Sequence, residues 1–178
     1  SSLASNYLLP TLNATNAEAT INKASLTVTG AQHTVTYNGL VQTNSGATIT
    51  GRQGSDSFTL SGYASGSNAN SYVHNLSVTG SAVANYNVSL SNGSLIIAKA
   101  PLTVTADDKT RFYGAANPVL TATVSGFQNG ETLATSGVTG SAALSTAATA
   151  TTPVGRFMID AAVGSLTAGN YDFSMFHP

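Results

Sequence analysis

The chain has 178 residues, a net charge of -1, only 7% charged residues and no cysteine. Soluble globular domains carry about 25% charged residues. So sparse a charge, with its six basic residues scattered, excludes a phosphate-neutralising face for nucleic acid, and the lack of cysteine excludes disulfide staples and thiolate metal sites. Hydrophobic residues at 42% supply enough apolar surface for a folded core, and no apolar run is long enough for a membrane-crossing helix.

Read from the N-terminus, the chain repeats itself. Residues 1–24 run from Asn6-Tyr7 to Lys23-Ala24, and the same order returns from Asn85-Tyr86 to Lys99-Ala100. Lys23-Ala24-Ser25-Leu26-Thr27-Val28-Thr29 recurs 76 residues later as Lys99-Ala100-Pro101-Leu102-Thr103-Val104-Thr105. Tyr37-Asn38-Gly39 is answered by Tyr113-Gly114 at the same step, and a third Asn-Tyr pair stands at Asn170-Tyr171. These landmarks predict three pieces: 1–24 as the C-terminal strands of a preceding repeat, 25–100 as one repeat, and 101–178 as a second that lacks its last strand. The joint Ala98-Lys99-Ala100-Pro101 is too short to act as a flexible linker, so neighbouring repeats of the same chain are expected partners.

Within the repeats, apolar residues alternate with Thr and Ser at the period of a strand with one buried face. Phe58 and Leu60 flank Thr59, and Leu76 and Val78 flank Ser77. Asn87–Ala98 reads as a hairpin with Asn92-Gly93 in a type I′ turn, which sets Leu90 opposite Leu95 and Val88 opposite Ile97. Leu102 and Val104, then Leu120, Ala122 and Val124, continue the alternation. Glu131–Ala134 offers one helical turn, and Ser141–Thr152, followed by Pro153, reads as strand plus loop. Tyr171, Phe173 and Met175 repeat the parity of Tyr86, Val88 and Leu90. The expected fold is all-β: tandem small antiparallel β modules, β-grasp-like or small sandwiches, stacked end to end. Without a strand after Met175 the last module is expected to present an open sheet edge, to be filled by segment 1–24 of a neighbouring molecule.

The run from Ala98 through Lys109, then Phe112-Tyr113-Gly114-Ala115-Ala116-Asn117-Pro118, resembles the YGX type of MBG repeat. Gly126-Phe127-Gln128-Asn129-Gly130-Glu131, Thr151-Thr152-Pro153-Val154-Gly155 and Gly169-Asn170-Tyr171 follow in the same order. The preceding unit, with Tyr37-Asn38-Gly39 and Ala84-Asn85-Tyr86, is similar to the related YDG type, with Asn38 in place of the Asp. The resemblance implies large exported bacterial proteins, filamentous-haemagglutinin-like exoproteins and other adhesins among them. It also implies a small β-rich, β-grasp-like module without an active site.

No constellation of catalytic residues stands out. Asp107-Asp108 is the one adjacent acidic pair, and no Asp-x-Asp-x-Asp-Gly run accompanies it, so it reads as a turn or strand end. His33, His74 and His177 are far apart and read as surface or strand-face residues. No Gly-x-Ser-x-Gly elbow leads into a helix. An isopeptide crosslink needs a buried Lys beside Asn and an acid, whereas Lys23 and Lys99 lie at joints and Lys109 on an exposed segment. Catalytic, cofactor and metal residues are therefore expected to be none. Phe58 is assigned to the core, and Tyr63 and Tyr72, in Gly/Ser/Asn-rich surroundings, are the candidates for contact with a ligand. The expected function is a non-enzymatic stalk or spacer in a bacterial adhesin, extracellular or at the outer-membrane surface, supporting cell adhesion or biofilm formation. The alternative is a binding module of that adhesin, with a host glycan or matrix protein as partner.

Overall fold

The computed structural model describes residues 20–177, and among them every regular element except a 3-10 turn at Val83–Asn85 is a strand. Two kinked ribbons organise the first module. β1 (Ala24–Gly30) continues past Ala31 into β2 (Gln32–Thr36), and β9 (Tyr86–Ser91) continues past Asn92-Gly93 into β10 (Ser94–Ala98). The ribbons run parallel: Leu26 lies against Val88 and Val28 against Leu90 before the kink, and His33 lies against Leu95 after it. β4 (Ala47–Thr50) joins β1 antiparallel, and β7 (Asn70–Val73) joins β10 antiparallel. Two short ribbons complete the module, β3 (Gln42–Asn44) with β6 (Ala64–Gly66), and β5 (Thr59–Ser61) with β8 (Ser77–Thr79).

The hairpin expected over Asn87–Ala98 does not form. Neither Asn92 nor Gly93 has a positive φ, so the type I′ turn is absent. The residues that it would have gathered on one face are divided, with Leu95 and Ile97 buried and Val88 and Leu90 39% and 45% exposed. Gly93 instead permits a close crossing of backbones. A Cβ there would lie 2.0 Å from the Ala31 carbonyl oxygen, and a Cβ on Gly30 would lie 2.5 Å from Gly93 N. Each half of 86–98 thus finds a full-length partner in β1 or β2. The all-β class stands, but the sheets are mixed where antiparallel modules were expected.

Two buried polar side chains pin the crossing. The Asn44 amide donates to the carbonyls of Ala31 (2.8 Å) and Ser94 (2.9 Å), and its Oδ1 accepts from Gly46 N at 2.9 Å. His74, expected at the surface or on a strand face, is 2% exposed. Its Nδ1 accepts from Ala64 N at 2.8 Å, which puts the ring proton on Nε2, 3.2 Å from the Ala31 carbonyl. Buried polar groups with partners are what a well-formed interior requires.

The second module reproduces the first sheet. β11 (Ala100–Ala106) pairs antiparallel with β12 (Ala122–Ser125) and parallel with β15 (Tyr171–His177), and Ala100 faces Tyr171 as Ala24 faces Tyr86. β13 (Ala143–Ser145) and β14 (Asp160–Ala162) form a further antiparallel ribbon, and Thr139 bridges Thr167 as Ser61 pairs with Ser77 in β5 and β8. Residues 131–134 form only turns and 141–152 a strand plus loop. One buried cluster runs through the joint, with Tyr37, Ala64, Leu95 and Ile97 from one module and Ala100, Leu102, Ala168 and Tyr171 from the next. Of the expected preceding repeat, residues 1–19 lie outside the described residues, as do the side chains of Met175 and His177.

The crossing makes a direct prediction. Gly93→Ala forces backbone apart and should cost about 3 kcal/mol in urea unfolding. Gly169→Ala, with nothing within 4 Å of the added methyl, should be neutral or slightly stabilising.

Candidate functional site: the joint between modules

The turn after β12 carries Glu131 to the boundary between the modules. Its Oε2 accepts the Tyr171 hydroxyl at 2.5 Å, and its Oε1 accepts the Tyr37 hydroxyl, from the other module, at 2.6 Å. Gln128 N donates to the Tyr171 hydroxyl oxygen at 2.9 Å, so that oxygen both donates and accepts. The rings meet edge to face, Tyr37 on Tyr171 at 5.3 Å and Phe127 on Tyr171 at 5.7 Å between centroids, the arrangement that aromatic quadrupoles favour.

Further bonds surround this centre. Asn129, with φ of 50°, is the only described non-glycine residue with a positive φ, and its amide reaches the Gly39 carbonyl at 3.2 Å. Gly39 (φ 74°) leaves room for that approach, since a Cβ on it would lie 2.5 Å from Asn129 Cβ. Asn170 accepts from Ala69 N at 2.9 Å and donates to Asn68 Oδ1 at 3.1 Å. The Lys99 ammonium donates to the Ala168 carbonyl at 2.8 Å.

Burial, then the hydrogen bond to Glu131 and the charge behind it, push the Tyr171 hydroxyl up to about 12. Tyr37 is also raised, by its bond to Glu131 and then by burial. Both hydroxyls therefore remain protonated donors to one carboxylate, a charge-assisted arrangement. The first module holds the same constellation 75 residues earlier, where Gly51-Arg52-Gln53-Gly54-Ser55-Asp56 precedes Gly126-Phe127-Gln128-Asn129-Gly130-Glu131. Gln53 N donates to the Tyr86 hydroxyl oxygen (2.9 Å), that hydroxyl donates to Asp56 Oδ2 (2.6 Å), and Phe58 packs edge-on against Tyr86 at 5.2 Å. The bond to Asp56, with burial, raises Tyr86 as well.

Residues 102–178 match the MBG domain (YGX type). No curated protein and no solved structure matches the chain. Gln128, Asn129, Glu131, Asn170 and Tyr171 lie on the MBG side of the joint, and Tyr37, Gly39 and Asn68 on the other. Asn170-Tyr171 and Tyr37-Asn38-Gly39, two of the repeat's landmarks, are thus at the joint. Sequence reasoning missed Glu131 and Asp56 as their shared acceptors. The signal was a Gly-x-Gln-x-x-acid run in both copies.

The residues singled out from sequence sit elsewhere. Tyr63 is half-buried and edge-on to His74 at 5.9 Å. Tyr72 is half-buried, donates to the Asn68 carbonyl at 3.0 Å, and lays its ring over Gly66, where a Cβ would meet it at 2.1 Å. The structure ties these rings to His74 and Gly66 rather than to each other. At the start of the MBG domain, Asp107 accepts the hydroxyls of Thr121 (2.5 Å) and Thr123 (2.8 Å). Those bonds, aided by Lys109, hold its carboxyl below the usual range. His33 is exposed on β2.

Tyr37→Phe deletes one charge-assisted bond across the joint and should lower unfolding stability by about 2 kcal/mol. Tyr171 has a folded value of about 12 against 10.0 when free. Its contribution is therefore complete below pH 10 and is lost as pH rises through about 12. An alkaline unfolding series should show that loss in the wild type and a flatter limb in Tyr171→Phe. For Asp107 the sign reverses: its contribution holds above its free value of 3.8 and disappears as pH falls below it, a limb that Thr121→Val should flatten.

Proposed function

We propose that this chain is a non-enzymatic stalk or spacer segment of a large bacterial adhesin, secreted or exposed at the cell surface. Its modules would hold a binding region away from the cell and so support adhesion or biofilm formation. The observation that carries this reading is the joint itself. Glu131 takes a hydroxyl from each module, one buried cluster crosses the boundary, and no linker intervenes. A spacer needs such a fixed angle between successive units, because a flexible joint lets the distal end fold back. The match to the MBG domain and an exterior made polar by Thr, Ser and Asn rather than by charge support the same reading.

Small-angle X-ray scattering tests it. The wild type should scatter as one rigid particle of fixed length, and Glu131→Ala should broaden its distribution of lengths. Two modules that reorient freely in the wild type would overturn the spacer reading. A screen against glycans and matrix proteins addresses the rival. Saturable binding lost on Tyr63→Ala or Tyr72→Ala would make this a binding module instead.

A further inference from the structure

The cations of the MBG domain are scattered in sequence but gathered in space. Lys109, Arg111 and Arg156 are every lysine and arginine of residues 102–178, and all of them line one groove of about 440 Å³. Asp108 is the one acid among the described residues of that lining. The volume falls within the range of about 300–1,000 Å³ usual for ligand clefts. Two aromatic rings line the same groove and stay open to solvent, Tyr113 at 66% and Phe157 at 47% exposed. The groove lies between the loops 108–120 and 146–159, and no residue of its lining belongs to a strand.

Backbone and side-chain bonds brace the two loops. Gly114 N donates to the Ala150 carbonyl at 3.1 Å, and the Asn117 amide donates to the Ala148 carbonyl at 2.6 Å. Arg111 donates to Asn117 Oδ1 at 2.7 Å, to the Phe112 carbonyl at 3.3 Å and to the Thr149 carbonyl. Those acceptors are all neutral. The guanidinium is therefore fixed in place with its charge unanswered and with N–H donors to spare. Lys109 differs, because it donates to the Thr121 hydroxyl at 2.6 Å and that hydroxyl is held by Asp107. Arg111 and Arg156 thus set the sign of the groove.

We infer that this groove binds an acidic polysaccharide, with sugar carboxylates on Arg111 and Arg156 and pyranose rings against Tyr113 and Phe157. A carboxylate can take two parallel N–H bonds from one guanidinium. The C–H face of a pyranose is apolar and can cover an aromatic ring while its hydroxyls stay in water. A peptide that docks by adding a strand needs a sheet edge, and this lining offers none. A nucleic acid needs a longer track of cations to hold its phosphates. The site belongs to the MBG domain alone, so the inference does not rest on the spacer reading or on the angle at the joint.

Isothermal titration calorimetry of the full chain with an oligogalacturonate tests it. Binding should be saturable and should weaken as salt is added. Arg156→Gln should weaken it about tenfold, and Phe157→Ala about fivefold. Both side chains are exposed, so both variants should keep the circular dichroism of the wild type. Arg52→Gln removes a cation outside the groove and should leave the affinity unchanged. Neutral dextran, polyglutamate and oligothymidylate of matched length should each bind at least about tenfold more weakly. Absence of binding, wild-type affinity in Arg156→Gln, an equal loss in Arg52→Gln, or parity with any of the three control polymers would each overturn the inference.

Discussion

A carboxylate has two oxygens, and at Glu131 each is taken by a tyrosine from a different module. Unpartnered, a charge against the buried rings of Tyr37 and Tyr171 would be expensive. With two hydroxyl donors it becomes a clamp whose geometry both modules must satisfy together. The raised position of Tyr171 is the same fact seen from the phenol, because ionising it would set two negative charges side by side. Asn129 and Asn170 then close the boundary on either side, and the cluster from Leu95 to Tyr171 fills the space between.

The interior of each module is held by other means. In the first, two parallel ribbons cross at Gly30 and Gly93, and Asn44 and His74 satisfy the carbonyls that the crossing leaves turned inward. The MBG domain has Val119 and Leu120 where the repeat would place Asn44, and Gly164 precedes Ser165 where His74 precedes Asn75. The two units therefore share the Gln–Tyr–acid bonding at Tyr86 and Tyr171 and differ in how the half beyond the kink is secured.

Much of this was legible from the chain alone. The alternation at Phe58–Leu60, Leu76–Val78 and Leu120–Val124 marks real strands, and the landmarks Tyr37-Asn38-Gly39 and Asn170-Tyr171 mark the joint. Asn92-Gly93 was misleading for a physical reason. A turn that needs φ > 0 and a crossing that needs a missing Cβ both select glycine, and the parity of Leu90 and Leu95 fits either. Which one wins depends on β1 and β2, some sixty residues away, and local patterns carry no such information. Glu131 was hidden similarly: its partners lie 40 and 94 residues distant, and the equivalent acid in the other copy is an Asp. The half-exposed Tyr63 and Tyr72 attracted notice through composition alone, which does not reveal that Gly66 lies beneath one ring.

The parallel pairing has a mechanical side. The chain enters the first module at the start of β1 and leaves it at the end of β10, which are opposite ends of the same doubled ribbon. In the MBG domain β11 and β15 again run side by side in the same direction. Tension between entry and exit therefore acts along the ladders and shears them. Every hydrogen bond from Ala24–Tyr86 to Thr36–Ala98 bears the pull at once, where an antiparallel hairpin held at its open end would unzip one bond at a time.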